Sequence, residues 1–256
     1  MLITQVPIGG WQFEERIGPP DDLFDETSKI LRSWADGAVR DRRLIRLLRV
    51  DRPAIALGSA QSIGDLRESI MRPVVVRRSS GGGAVWLEPE SIIWLDVLIE
   101  RGDPHWLDDV GRAAWWIGDA VSEGLVESGF DGFTTHRGAL VNAPGSRQVC
   151  WIGTGAGEVV KSDNPAQKIV GIAQKRTRHQ VLFQVGVLMQ SCQFRLAPWF
   201  GLDPAAVTVS EAPAFPGPAS SSPLTTLSVI ENLVRAITSA SAMPPRNLTR
   251  QSSPLV

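Results

Sequence analysis

Two stretches carry residue types that can do chemistry on an anionic ligand. The first is Arg77-Arg78-Ser79-Ser80-Gly81-Gly82-Gly83-Ala84-Val85, where two guanidinium groups and two hydroxyls stand beside three consecutive glycines. Arginine forks match carboxylates and phosphates, and a bare run of main-chain amides can form an anion-binding concavity. Three glycines in an extended segment cost about 2–3 kcal/mol relative to alanine, so a backbone requirement is expected there. The bland alternative is a glycine-rich hairpin with two solvated arginines. The spacing is neither the G-x-G-x-x-G of a dinucleotide fingerprint nor the Gly-Lys-Ser/Thr ending of a P-loop. The second stretch is Lys168-Ile169-Val170-Gly171-Ile172-Ala173-Gln174. Strand alternation places Lys168, Val170 and Ile172 on one face. A lysine heading an apolar strand either reaches solvent along its stem or meets an anionic partner.

Elsewhere the composition excludes more than it assigns. The 256 residues carry a formal charge of −1, which gives no global basic field for nucleic acid. Cations are 22 Arg and four Lys (Lys29, Lys161, Lys168, Lys175), and three of those lysines fall within fifteen residues. Cys150 and Cys192 make neither a disulfide framework nor a metal site, and His105, His136 and His179 are scattered. Met1 to Trp11 does not read as a signal peptide and no apolar run has the ~18 residues of a span, so a cytoplasmic protein without membrane contact is expected.

The elements that must position these residues follow from periodicity. Asp21 or Asp22 caps a helix predicted to run to about Gly37, with Leu23, Phe24, Thr27, Ile30, Leu31 and Trp34 on its packing face and Glu26, Lys29 and Arg32 turned away. Strands are predicted over 43–50, 54–57, 73–78 and 91–99. A long helix is predicted from Asp103 to Ser128, with Trp106, Trp115 and Trp116 in the core and Gly129 as its stop. Short strands are then predicted over 139–142, 148–152, 158–161, 168–174 and 181–189, with Gly153-Thr154-Gly155-Ala156-Gly157 as a turn. A short helical turn is expected over 196–201, a Pro/Ala/Ser-rich linker over 212–223, a helix over 224–240 and a disordered polar tail from 243. Strand runs broken by two or three helices predict an α+β fold with a mixed, largely antiparallel sheet and flanking helices. The expected organisation is a domain over 1–203, then a linker and a helix packed on it over 204–242, then the tail.

The two motifs resemble the signature segments of the lipoate–protein ligase and octanoyl-transferase family, and Leu57-Gly58 with Gln61 resembles a third, weaker block. The resemblance spans about residues 10–200. It implies the fold of the biotin/lipoate ligase catalytic domain, with the Arg-Ser-Gly segment and the lysine strand on opposite walls of a groove. It further implies that Arg77, Arg78, Ser80, Gly81, Gly82, Gly83, Ala84 and Val85, with Gly171 and Ala173, line the acyl and adenylate pocket, and that Lys168 bridges acyl carbonyl and phosphate. Cys150 falls where cysteine-dependent members carry their nucleophile. A ligase-like member would use ATP and Mg²⁺ to make an acyl-adenylate from lipoic or octanoic acid. It would then modify a lysine of lipoyl carrier domains, those of 2-oxoacid dehydrogenases or the glycine-cleavage carrier protein. A transferase would instead pass an octanoyl group from acyl carrier protein through Cys150, with no cofactor. A non-catalytic module that binds lipoate or the carrier domain is the reading of another class. The chain departs from the family at Trp86-Leu87-Glu88, where an aromatic and His-Asp are usual, and at Gln184-Val185-Gly186, where Gln-His-Gly is usual. Fifty-five residues follow Gly201, too few for the accessory domain of many ligases; either a partner chain would supply it or the activation step would be absent.

Overall fold

The computed structural model describes residues 2–34, 42–68, 72–208 and 223–241. The predicted linker over 212–223, apart from Pro223 at the start of the last helix, and the tail from 243 lie outside the described residues, as does the end of the first predicted helix beyond Trp34. In chain order the elements are β1 (Leu2–Ile8), β2 (Trp11–Gly18), α1 (Pro20–Trp34), β3 (Arg43–Val50), β4 (Ala54–Leu57), β5 (Val74–Arg77), β6 (Val85–Leu87), β7 (Ile92–Glu100), α2 (Trp115–Glu127), β8 (Phe133–Thr135), β9 (Val159–Lys161), β10 (Lys168–Arg176), β11 (Gln180–Leu188), α3 (Ala197–Phe200), α4 (Pro204–Thr208) and α5 (Pro223–Ser239).

Eight strands form one sheet in the order β1-β2-β3-β7-β11-β10-β9-β8, and β5-β4-β6 form a second, smaller one. Only β2 with β3 and β4 with β5 run parallel among the described pairings; the rest are antiparallel. This is the mixed, largely antiparallel sheet with flanking helices that the strand pattern predicts. No helix among the described residues is long and apolar enough to cross a membrane.

Alternation along the central strands sorts their side chains into two faces. Ile45 and Leu47 of β3, Ile93, Leu95 and Val97 of β7 and Phe183 and Val185 of β11 pack under α2 and α5, against Ile117, Val121, Leu233 and Ile237. The opposite face meets α1 through Leu44, Leu98 and Leu182 and meets the small sheet through Leu48, Trp94 and Leu188. Across that second face runs a row of paired polar positions, Glu14 beside Arg46, Arg46 beside Asp96 and Asp96 beside Gln184. Arg46 and Asp96 are fully buried. Arg46 donates to Glu14, to Glu26 at 2.9 Å and to Thr27 at 2.6 Å, and Gln184 donates to Asp96 Oδ1 at 3.0 Å. Burying such charges is costly unless each has partners, and here each does. Glu26 therefore turns toward the core side of α1 rather than away from it.

Two expectations about elements are corrected. The helix expected from Asp103 starts only at Trp115, because the Asp103 and Asp109 carboxylates turn back to accept from the backbone of His105 at 2.8 Å and Gly111 at 3.0 Å, which favours turns over helix. Of its three tryptophans only Trp116 is core; Trp115 is half-buried between the guanidinium groups of Arg112 and Arg137, at 4.9 and 5.2 Å. The strands expected over 139–142 and 148–152 reduce to isolated bridges at Val141 and Val149, with Cys150–Ile152 wound into a 3-10 turn. Conversely β1 and β2 form a hairpin that the sequence reading passed over, turned at Gly9-Gly10 with both φ positive.

Candidate active site

The glycine triplet lies in the loop between β5 and β6 rather than inside a strand. Backbone conformation at Gly82 and close backbone packing at Gly83 and at the neighbouring Gly58 call for glycine, whereas Gly81 faces open space. Gly82 has φ +94°, and a Cβ on its neighbour Gly58 would stand 1.9 Å from Gly82 O. A Cβ on Gly83 would stand 2.7 Å from the backbone at Val149 and Cys150. Ala84 N donates to Gln148 O at 2.7 Å and Cys150 N donates to Ala84 O at 2.9 Å, so the loop is zipped to the segment that carries Cys150. Gln61 closes the far side, accepting from Gly58 N at 2.9 Å and donating to Gln148 O at 3.0 Å.

Arg78 and Ser80 support this loop from behind. Arg78 is buried and donates to Ser80 Oγ at 3.0 Å and Gly83 O at 2.8 Å, while Ser80 Oγ donates to Gln184 Oε1 at 2.7 Å. The buried row on β3, β7 and β11 thus ends on the glycine loop. Arg77 points outward and donates to the carbonyls of Ser59 and Gln61.

On the other side of the Cys150 segment Lys168 is 1% exposed. Its ammonium donates to Cys150 O and Gly153 O, both at 2.7 Å, and to both Glu158 oxygens at 3.0 Å. It also sits 5.3 Å from the Trp151 ring centroid. The turn at Cys150–Ile152 exists because these carbonyls aim at the ammonium instead of at a neighbouring strand. Of the two sequence-level options for Lys168, the anionic partner is the one found, and that partner is Glu158. No reading of spacing singled out Glu158; the available signal was a lone acid heading the apolar Val159-Val160 pair, ten residues before the lysine.

A cavity of about 940 Å³ is lined by Gly81, Gly82, Gly83, Cys150, Glu158, Lys168 and Ala173 among others. The amide N–H groups of Gly81, Gly82 and Gly83 make no hydrogen bond among the described residues. Arg78, Val85 and Gly171 instead line a void of about 10 Å³ behind Cys150 and Ala173, which face both spaces. Trp151 seals that void; Gly171 and Gly186, paired across β10 and β11, each leave room for its indole, 3.1 Å from where a Cβ would stand. Arg77, Ser80 and Ala84 do not line the cavity. A separate cavity of about 120 Å³ near Leu47, Pro89 and Ile230 holds none of the predicted residues.

The model of the lipoyl protein ligase A/B catalytic domain matches residues 29–201. The chain belongs to that family. It is accordingly an enzyme of the ligase and acyl-transferase kind. Solved structures share the fold. Lipoate-protein ligase A bound with ATP superposes with a TM-score of 0.61 at 15% identity, covering 88% of this chain and 84% of that one. Protein Ta0514 of T. acidophilum with bound lipoic acid gives 0.59 at 14%, covering 86% and 82%. The bi-partite lipoate protein ligase of Thermoplasma acidophilum, studied with its E2 lipoyl domain, gives 0.57 at 12%, covering 87% and 83%. No curated protein matches the chain. Within the family fold, the glycine loop and Lys168 line one cavity, with the Cys150 main chain between them.

Proposed function

We propose that the chain is lipoate–protein ligase-like, joining lipoic or octanoic acid to a carrier-domain lysine through an acyl-adenylate. One observation carries this reading: three glycine amides with no hydrogen-bond partner among the described residues and a buried ammonium line a single cavity. Its volume suits a medium-chain acid with a nucleotide, since ligand sites run from about 300 to 1,000 Å³. The free amides fit phosphate oxygens, and ATP bound there would supply the activation. Among the described residues no group of three His, Cys, Asp or Glu is placed to hold a metal, so Mg²⁺ would rest chiefly on the nucleotide's phosphates. Lys168 would stabilise charge developing at the acyl headgroup. The lysine of a lipoyl carrier domain, of the 2-oxoacid dehydrogenase or glycine-cleavage type, would then attack the activated acyl group. The neighbours bound with ATP and with lipoic acid, and the one studied alongside its E2 lipoyl domain, support the choice of ligands and partner.

The test is pyrophosphate release. It is expected only when ATP and lipoic or octanoic acid are supplied together, and silence with every medium-chain acid would remove the ligase reading. A second reading is favoured by the placement of Cys150, half-buried in the cavity wall between the glycine loop and Lys168. There the thiolate would accept an octanoyl group from acyl carrier protein and hand it to the carrier lysine. An octanoyl thioester on Cys150 after incubation with octanoyl carrier protein, without ATP, would favour it.

A further inference from the structure

Lys168 has three N–H donors, and all three directions are taken by Cys150 O, Gly153 O and the Glu158 carboxylate. No donor remains for a ligand. Two of these acceptors are main-chain carbonyls in a segment tied to the glycine loop through Cys150 N and Ala84 O. Glu158 alone sits on a rotatable side chain, and it borders the cavity.

The surroundings of the Glu158 carboxylate form an anion site. Besides the ammonium, Gly155 N donates to Oε2 at 2.6 Å and Ile172 N donates to Oε1 at 3.2 Å. An ammonium and two converging amides hold a carboxylate or phosphate well. Here they hold one from the chain itself.

We propose that Glu158 is a resident stand-in for the ligand's acid headgroup, and that a carboxylate or phosphate entering the cavity displaces it from Lys168, Gly155 N and Ile172 N. This rests on the ligase-like reading for the identity of the acid, but not for the displacement. With Glu158 in place the pair presents no net charge. Once Glu158 swings into the cavity, the ammonium is free to pair with the ligand. Glu158 is thus a positioning residue that weakens ground-state anion binding and keeps Lys168 from standing unpaired in the empty enzyme.

The experiment is calorimetric titration of the wild-type chain and Glu158→Gln with two probes, octanoate and inorganic pyrophosphate. Glutamine keeps the shape and one acceptor but removes the competing charge, so E158Q is expected to bind the anion that uses this site about tenfold more tightly, or better. Equal or weaker binding of both probes by folded E158Q would overturn displacement and leave Glu158 a simple anchor for Lys168. If pyrophosphate gains while octanoate binds neither protein, displacement stands and the acyl reading falls. If octanoate binds the wild type but neither probe gains, the acyl reading stands and displacement falls. Failure of both proteins to bind either probe overturns both. Should E158Q not fold, wild-type crystals soaked with octanoate and separately with pyrophosphate decide it. Either anion in place of the Glu158 carboxylate beside Lys168 supports displacement, and a carboxylate still bonded there in both soaks overturns it.

Discussion

Removing the Lys168 ammonium does two separable things. It takes away a positive charge from the cavity, and it leaves the Glu158 carboxylate, 5% exposed, without its counter-ion. The first predicts that Lys168→Ala slows acyl transfer on the order of 10²–10³-fold, as loss of a charge-stabilising donor does. The second predicts a destabilisation of about 3–5 kcal/mol, since an unpaired buried charge is left behind. Denaturant titration beside single-turnover assays separates the two. Cys150→Ala leaves the main-chain carbonyl that Lys168 uses, so full activity in that variant would exclude a cysteine-bound intermediate. Lys168, Cys150 and the glycines were legible because their residue types are chemically loaded. Glu158 was not, because an acid after Gly157 and before two valines looks like the solvated end of a strand. Arg78 and Ser80 read as ligand contacts for the same reason; their burial and their bonds to Gly83 O and Gln184 became visible only in the fold.

At the level of elements, what decides the site is the polar row crossing β2, β3, β7 and β11. Arg46 stands among Leu44, Ile45, Leu47 and Leu48 of β3, and Asp96 interrupts the apolar run of β7. That interruption was visible in the sequence, yet strand pairing was needed to show that the interruptions align. Asp96 accepts from Gln184, from Trp94 Nε1 at 3.0 Å and from Thr27, and it lies 4.0 Å from Arg46. Asp96→Ala is therefore expected to cost about 3–5 kcal/mol, and to release Gln184 and with it Ser80. Urea unfolding reads the first effect, and faster amide exchange over 80–84 reads the second. Strands 43–50 and 54–57 were found from sequence to the residue because their apolar runs end at turn formers. The region 103–114 was not, because apolar residues at helical spacing there are overruled by aspartates that bond their own backbone.

For the molecule as a whole, the tie between the two ends of the described chain runs through Asp103 and His105. His105 is buried between Trp11 and Trp116, with Nδ1 3.0 Å from Asp103 Oδ1 and Nε2 3.0 Å from Ala240 O, just past α5. Burial works against the Asp103 charge, but hydrogen bonds from the His105 ring and backbone and from Arg43 outweigh it and hold the carboxyl below its ordinary value. A depressed carboxyl contributes stability that is complete above the unfolded value of about 4 and is lost as pH falls through the folded one. The melting temperature of the wild type should therefore fall toward that of Asp103→Asn as pH drops below about 4, and a constant gap would contradict this account.

The packing of α5 against α2, together with the β1–β2 hairpin, bears on anyone wishing to make a smaller catalyst. Residues 29–201, which carry the family signature, contain neither β2 nor α5. A fragment cut there would strip β3 of its parallel neighbour, strand Arg46 without Glu14 and Glu26, and uncover the apolar cluster of α2, Ile117 and Val121 included, against which α5 packs. The piece that evolution labels and the piece that can stand alone in water are different lengths of the same polymer, and trimming must begin in the loops.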